Sequence, residues 1–267
     1  MKWIVPYTNF GAQYLKQRTN FLNQFNRVML NGDFILRGDV LKFEKNIAKY
    51  LGVKHVIGVN SGTDALLLSL GCLGIKKDSE IISVAHTAIA TLSAIVHTGC
   101  KPKLVDIAED FNMNVEEVEK RITRKTKAIV PVHLNGRSCE MDKVLYLAKK
   151  YKLLIVEDAA QALGARFKGK MAGTFGIAGA FSLHPLKSLN CAGDGGFVAT
   201  NNRLVADKLK RLRNHGQKKR NEIIHFGFCS RLDNLQAALV NVKFKTFKEQ
   251  INKRRFIAKT YSKLLRG

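Results

Sequence analysis

No stretch of this sequence holds eighteen consecutive apolar residues, which excludes a membrane-spanning helix of the usual kind. The opening segment, "MKWIVPYTNF", is broken by Pro6 and by polar residues before it reaches the length of a secretory signal. The expected compartment is therefore the cytoplasm. Cysteine is sparse and scattered: Cys72, Cys100, Cys139, Cys191 and Cys229 include no C-x-x-C pair and no Cys/His cluster at zinc-ligand spacing. Reduced thiols are expected, with neither a disulfide framework nor a bound metal. Acids are scarce too. Asp and Glu number 21 against 45 Lys and Arg, a net charge of +24. Residues 201–267 alone carry 18 Lys/Arg against 4 Asp/Glu. Such a field attracts phosphate-bearing ligands, nucleic acid or an anionic surface, and a solvated lysine-rich surface accounts for it equally well. No nucleic-acid reading motif accompanies the charge, so nucleic acid is not an expected partner.

What is present describes a folded enzyme-sized chain. At 267 residues, 46% apolar and with 15 phenylalanines, it can bury a substantial core in one large domain or a domain and a half. Apolar runs alternate with helical patterns: "HVIGVN", "EIISVAH", "KPKLVDI", "KAIVPVHL", "LLIVEDAA", "AGAFSLH" and "GGFVATN" read as strands. Between them "TDALLLSLGCLG", "AIATLSAIVHTG", "VEEVEKRI", "EMDKVLYLAKKY" and "LVADKLKRLRNHG" read as helices. Strands apolar on both faces, separated by helices, predict an α/β fold with a mostly parallel sheet. Residues 235–265 read as one long helix with no strand after it. The predicted division is a large domain over residues 1–234 and a long helix over 235–267 leading to a small carboxyl-terminal domain, truncated or absent here.

Ligands of such folds sit beyond the carboxyl ends of the strands, so three stretches there stand out. In "NSGTDALLL", Ser61, Gly62 and Thr63 precede a helix, either as a phosphate-binding helix head or as a simple N-cap. The stretch is neither a Walker loop nor G-x-G-x-x-G. In "IVEDAAQALGA", the adjacent Glu157 and Asp158 point to opposite faces of a strand and cannot act as a paired acid and base. One of them meets a ligand, or both are N-terminal acids of a following helix. In "FSLHPLKSLNCAGDGG", Ser182, His184 and Lys187 follow a strand. A lysine there, with a phosphate site and an aspartate, suggests imine chemistry on an aldehyde cofactor.

The ordered motifs "NSGTDAL", "EDAAQALGA", "FSLHPLKSLNCAGDGGFVATN", "RNHG" and "RLDNLQAAL" resemble the DegT-type aminotransferases, from about Gly38 to the end. These are pyridoxal-phosphate enzymes acting on nucleotide-linked keto sugars. The resemblance implies the aspartate-aminotransferase (fold type I) large domain, a homodimer, and transfer of an amino group from glutamate for amino-sugar and polysaccharide biosynthesis. It further implies that Lys187 forms the internal aldimine and that Asp158 faces the pyridine nitrogen. By the same resemblance Gln161 lies near the ring hydroxyl, and Gly62, Thr63 and Ser182, with Ser61 beside them, cradle the phosphate. Two positions depart from the family pattern. Ala88 stands where relatives often carry a ring-stacking aromatic, which leaves His86 to supply the flat face. Cys229 stands where many carry an asparagine reaching the neighbouring subunit's phosphate, with the Ser230 hydroxyl as its substitute. The competing expectations are a sugar dehydratase, which the presence of Lys187 opposes, and a degenerate relative that binds cofactor or a partner without turnover.

Overall fold

Short runs that are apolar on both faces lose water from both only inside a covered sheet. The computed structural model describes residues 7–265 and places the seven expected runs in one sheet, with Lys101–Val105 largely exposed at one edge. In chain order the strands are β1 (His55–Val59), β2 (Glu80–Val84), β3 (Lys101–Val105), β4 (Thr126–Ile129) and β5 (Leu154–Asp158). A hairpin of β6 (Arg166–Phe167) and β7 (Lys170–Met171) follows, then β8 (Ala178–Ser182) and β9 (Gly196–Thr200), then a second hairpin of β10 (Gln217–Lys219) and β11 (Glu222–Ile223). The sheet order is β1-β9-β8-β5-β4-β2-β3. Every pairing from β8 through β5, β4 and β2 to β3 is parallel, whereas β9 runs antiparallel to both β8 and β1. The predicted α/β class and mostly parallel sheet are what the chain forms.

The helices are α1 (Phe10–Asn31), α2 (Gly38–Leu51), α3 (Gly62–Gly71), α4 (Ile89–His97), α5 (Val115–Arg121), α6 (Met141–Tyr151), α7 (Arg203–Leu212), α8 (Asn234–Phe244) and α9 (Phe247–Leu264). None is long and apolar enough to cross a membrane among the described residues. Alternation along β9 shows how the layers form. Val198 joins Ile57, Ala180, Leu66 and Leu209 beneath α3 and α7. Its neighbours Phe197 and Ala199 face the other side with Phe43, Ile47 and Ala237 of α2 and α8. There Phe181 and Phe197 stack with centroids 4.5 Å apart, and Phe43 meets Phe197 edge-on.

Residues 10–51 have no counterpart in the strand and helix pattern read above, yet they form α1 and α2. Helix α2 shows Val40, Phe43, Ile47 and Leu51 to the core at helical spacing. Its first free N–H groups, on Asp39 and Val40, donate to Asn234 Oδ1 at 3.0 and 3.2 Å, so the cap comes from a residue far along the chain. Asn234 Nδ2 donates to Asp39 Oδ2 at 2.9 Å, and Asp39 in turn holds Arg27 of α1 at 2.8 Å. One amide thus joins α1, α2 and α8.

The single long helix expected over residues 235–265 is two. Lys245 and Thr246 bond back three residues, to Val242 and Lys243, and α9 restarts at Phe247. The Thr246 hydroxyl also donates to the Lys243 carbonyl, at 3.3 Å, and so competes with the helical backbone there. At the restart Phe247 is 1% exposed, packed against Tyr50 and Phe244. The strand expected over 127–134 likewise stops at Ile129, and residues beyond it turn toward β5 through the Val132–Asp158 bridge.

A buried ion pair ties the first strand to its helices. Arg213 Nη1 donates to Glu44 Oε1 and, at 2.7 Å, to the carbonyl of Gly58; the N–H of Gly58 donates to the same Glu44 oxygen at 2.9 Å. Removing one partner leaves the other buried and uncompensated, at a cost of about 3 kcal/mol or more. Glu44→Ala and Arg213→Ala should each show that loss in chemical denaturation, and the double variant should lose much less than the two together.

Candidate active site

The head of α3 is built from "NSGT". Ser61, in extended conformation, accepts the N–H of Asp64 on its Oγ at 3.0 Å and so caps the helix. The capping expectation for Ser61 is met. It leaves the N–H groups of Gly62 and Thr63 free at the positive end of the helix, because the first N–H groups of a helix have no partner within it. Ser182, the last residue of β8, lies directly against them: a Cβ on Gly62 would stand 2.7 Å from Ser182 Cβ and 3.1 Å from its Oγ. A Cβ on Gly196, paired with Ser182 across β8 and β9, would stand 2.3 Å from the Ser61 carbonyl oxygen. Only glycines at 62 and 196 let the strand ends and the helix head approach so closely.

Lys187 sits in the loop after β8. The loop is held by the Lys187 N–H donating to the His184 carbonyl at 2.8 Å and by Asn190 Nδ2 donating to the Lys187 carbonyl at 2.9 Å. His184 is exposed and its Nδ1 accepts the Leu186 N–H at 3.3 Å, so it shapes this loop. The Lys187 ammonium is half-buried and has no hydrogen-bond or ion-pair partner among the described residues. Burial pushes its pKa below the ordinary lysine value, and the nearby charge of Asp158 opposes that push. Asp158 is thus near enough for its charge to act on the Lys187 amine.

Asp158 ends β5, 4% exposed. Its Oδ1 accepts the N–H of Ala160 at 3.1 Å and its Oδ2 accepts Thr91 Oγ1 at 2.6 Å. Glu157, on the opposite face, does something different. Its buried carboxylate accepts the N–H groups of Phe175 and Gly176 on Oε1, at 2.6 and 2.7 Å, and of Gly173 on Oε2 at 2.7 Å. His133, fully buried, meets Oε2 through Nε2 at 2.9 Å, while its Nδ1 accepts the N–H of Cys139. A nitrogen that accepts carries no proton, so the imidazole is the neutral tautomer donating from Nε2. No helix starts at these acids, which overturns the expectation that they cap one.

Gln161 is half-buried, and its Oε1 accepts the N–H of Asn135 at 2.9 Å. The structure thus gathers Gly62, Thr63 and Ser182 at the helix head, and Asp158 with Lys187 beyond the strand ends. His86 lies on the loop after β2, exposed, with its ring edge-on to Phe111 at 6.1 Å. No hydrogen bond joins it to Asp158 or Lys187. Ser230 is also placed differently from expectation. It is 2% exposed and donates to Asp64 Oδ2 at 2.8 Å within its own chain, so its hydroxyl is not free to reach a neighbouring subunit. Cys229 is exposed, with Arg231 Nη2 3.1 Å from its sulfur; the other four cysteines are buried and all five are free. Sequence reasoning missed Thr91, one unremarkable threonine in an apolar helix, and His133, which stands alone in a strand-like run.

A mostly parallel sheet with a lysine, an aspartate and a helix head at the carboxyl ends of its strands defines the large domain of a fold-type-I transferase. The sequence pattern of the DegT/DnrJ/EryC1/StrS aminotransferase family matches residues 16–267, beginning within α1 and well before Gly38, and the chain belongs to that family. A dTDP-3-amino-3,4,6-trideoxy-alpha-D-glucose transaminase of Micromonospora megalomicea subsp. nigra is 39% identical over 255 residues, covering 95% of this chain and 68% of the relative. The structure of S. venezuelae DesV in complex with a ketimine intermediate superposes with a TM-score of 0.95 at 39% identity, over 98% of this chain and 71% of that one. The structure of ntda from Bacillus subtilis with bound cofactor pmp gives a TM-score of 0.80 at 35% identity, over 84% and 52%. The protein is an aminotransferase.

The Glu157 cluster carries its own expectation. In Glu157→Gln the amide must place an NH2 against N–H donors, so one charge-assisted set is lost, at about 3 kcal/mol. Equilibrium denaturation of this variant should show that loss.

Proposed function

We propose that the protein moves an amino group from glutamate to a nucleotide-linked keto sugar, using pyridoxal 5'-phosphate held at the site just described and working as a homodimer. The observation that carries the proposal is the half-buried, unpartnered Lys187 amine within reach of the Asp158 charge, with the free helix head of α3 in the same strand-end site. The donor set fits the cofactor: free N–H groups and hydroxyls for a phosphate, an anion for a ring nitrogen and an amine for an aldehyde. When bound, pyridoxal phosphate supplies an aldehyde that exchanges amines and a ring that accepts electron density. Gly62 and Thr63 would hold the phosphate with their N–H groups, assisted by the Thr63 and Ser182 hydroxyls, while Ser61 caps the helix they open. Asp158 would hold a proton on the ring nitrogen. Gln161, its oxygen already engaged by Asn135, has its NH2 left to donate toward the ring hydroxyl.

Lys187 has the properties of a proton carrier. Half-burial shields it from bulk water and weakens its hold on the proton relative to a surface lysine. His86, packed on Phe111, remains the candidate for the flat face beside the ring, the place that Ala88 leaves without an aromatic. The relative with a sugar-transaminase name supports the sugar class, and the neighbour with bound pmp supports the cofactor. The basic surface suits capture of a diphosphate-bearing substrate. The domain division belongs to the same proposal: α9 shows Phe256, Tyr261 and Leu264 to solvent, a face for a smaller domain to cover.

Borohydride treatment of the pyridoxal phosphate-loaded protein, followed by mass spectrometry, should place the added group on Lys187, and Lys187→Ala should gain none. Glutamate should release 2-oxoglutarate from the loaded wild type, with the variant slower by about a thousandfold or more. A wild type that takes up no cofactor overturns the proposal. The pH dependence has a definite sign. A lowered amine pKa means deprotonation at lower pH than in a surface lysine, so capture of the cofactor by apo-protein should reach half its maximal rate below pH 10.5.

A further inference from the structure

Two threonine hydroxyls behind Asp158 serve no helix. Thr87 and Thr91 flank the start of α4, whose N-cap is Ala88, a residue with no capping side chain. Thr91 stands in the first turn, 0% exposed, where a hydroxyl commonly bonds local backbone. It bonds Asp158 Oδ2 instead, at 2.6 Å, and its oxygen lies 2.8 Å from Thr87 Oγ1. The direction of this chain follows from the chemistry of its end. An ionised carboxylate only accepts, so Thr91 donates to Asp158; the Thr91 oxygen then accepts the hydroxyl proton of Thr87. Both O–H dipoles point toward the carboxylate.

The other oxygen, Oδ1, is taken by the N–H of Ala160 at 3.1 Å. One protein donor on each oxygen fixes the rotation of the carboxylate plane, and it leaves further acceptor sites on both oxygens, since a carboxylate has about four. The Thr91 bond is the shorter of the two and comes from a residue with no room to move. Ala160, by contrast, belongs to the same turn as Asp158 and moves with it. The anchor independent of β5 is therefore Thr91.

We propose that Thr91, supported by Thr87, is a positioning residue that sets the orientation in which Asp158 is presented to the cofactor's ring nitrogen. The inference rests on the proposed role of Asp158 toward that nitrogen. It makes the end of the β2–α4 loop and the first turn of α4 part of the cofactor-orienting machinery through the Thr87 and Thr91 hydroxyls, beside Ala88, where this chain lacks the aromatic of the family pattern.

The test is equilibrium binding of pyridoxamine phosphate to apo-protein, which needs no bond to Lys187, together with the ¹⁵N resonance of the bound ring nitrogen as a report of its protonation. Thr91→Val, nearly the same volume without the hydroxyl, should bind about tenfold more weakly, with the ring-nitrogen resonance displaced toward the free cofactor's value. Thr91→Ser keeps the hydroxyl and should restore both readings to within about twofold, while Thr87→Val should give a smaller loss in the same direction. Thr91→Ala makes the same comparison if the valine variant fails to fold. Wild-type binding and resonance in the hydroxyl-free variant, alongside lost binding in Asp158→Ala, would overturn the positioning role alone. A serine variant as impaired as valine would overturn it as well, since packing would then explain the loss. If Asp158→Ala itself binds like wild type, the role of Asp158 falls and the positioning role with it.

Discussion

The Glu157 carboxylate is the interaction on which the site is built. A buried anion is tolerable only when its oxygens are filled, and here three backbone N–H groups and one imidazole fill them. Those donors come from the loop between β7 and β8 and from the residues after β4, so one side chain fixes the carboxyl end of β5 against its two flanking segments. Asp158 is the next residue. Its position is therefore inherited from a charge on the far face of the strand. The chemical group and its support are adjacent in sequence and point in opposite directions, as the alternation of a strand requires.

The head of α3 depends on a different kind of constraint, the lack of side chains. Gly62 and Gly196 bring the head of α3, the end of β8 and the start of β9 within backbone contact, and Ser182 is held at that junction. Strand β9 reverses direction relative to β8, which is what carries Gly196 back beside Ser182 and Ser61. The antiparallel member of an otherwise parallel sheet thus has a local purpose at the site.

Most of the seven main strands were legible as short apolar runs between turn residues, buried on both faces; β3, Lys101–Val105, is largely exposed and was legible only from its place in the strand and helix alternation. Lys187, Asp158, Gly62 and Ser182 were legible as ordered motifs, and the structure gathers them beyond the strand ends. What was not legible has a common cause: it depends on partners distant in the chain. Helix α2 is capped by Asn234; Phe247 at the head of α9 packs on Tyr50; the purpose of Glu157 lies in backbone N–H groups that carry no residue identity. Ser230 shows the reverse error. As a hydroxyl beside a departure from the family pattern it seemed free, and only the fold reveals Asp64 beside it.

Strand β1 sits at the edge of the sheet, and its one strand neighbour is β9, with His55 opposite Thr200 and Val59 opposite Gly196. During synthesis the segment that leads into the helix head emerges early, yet it has no strand to pair with until some 140 residues later. Contacts of such separation are slow to form, because the loop must close before they contribute. The parallel strands β2 to β5 can associate first, while the corner formed by β1 and the head of α3 waits for residues 196–200. The sheet order thus sets when each corner can close: the strands that carry Asp158 are all made before the partner that β1 and the head of α3 must wait for.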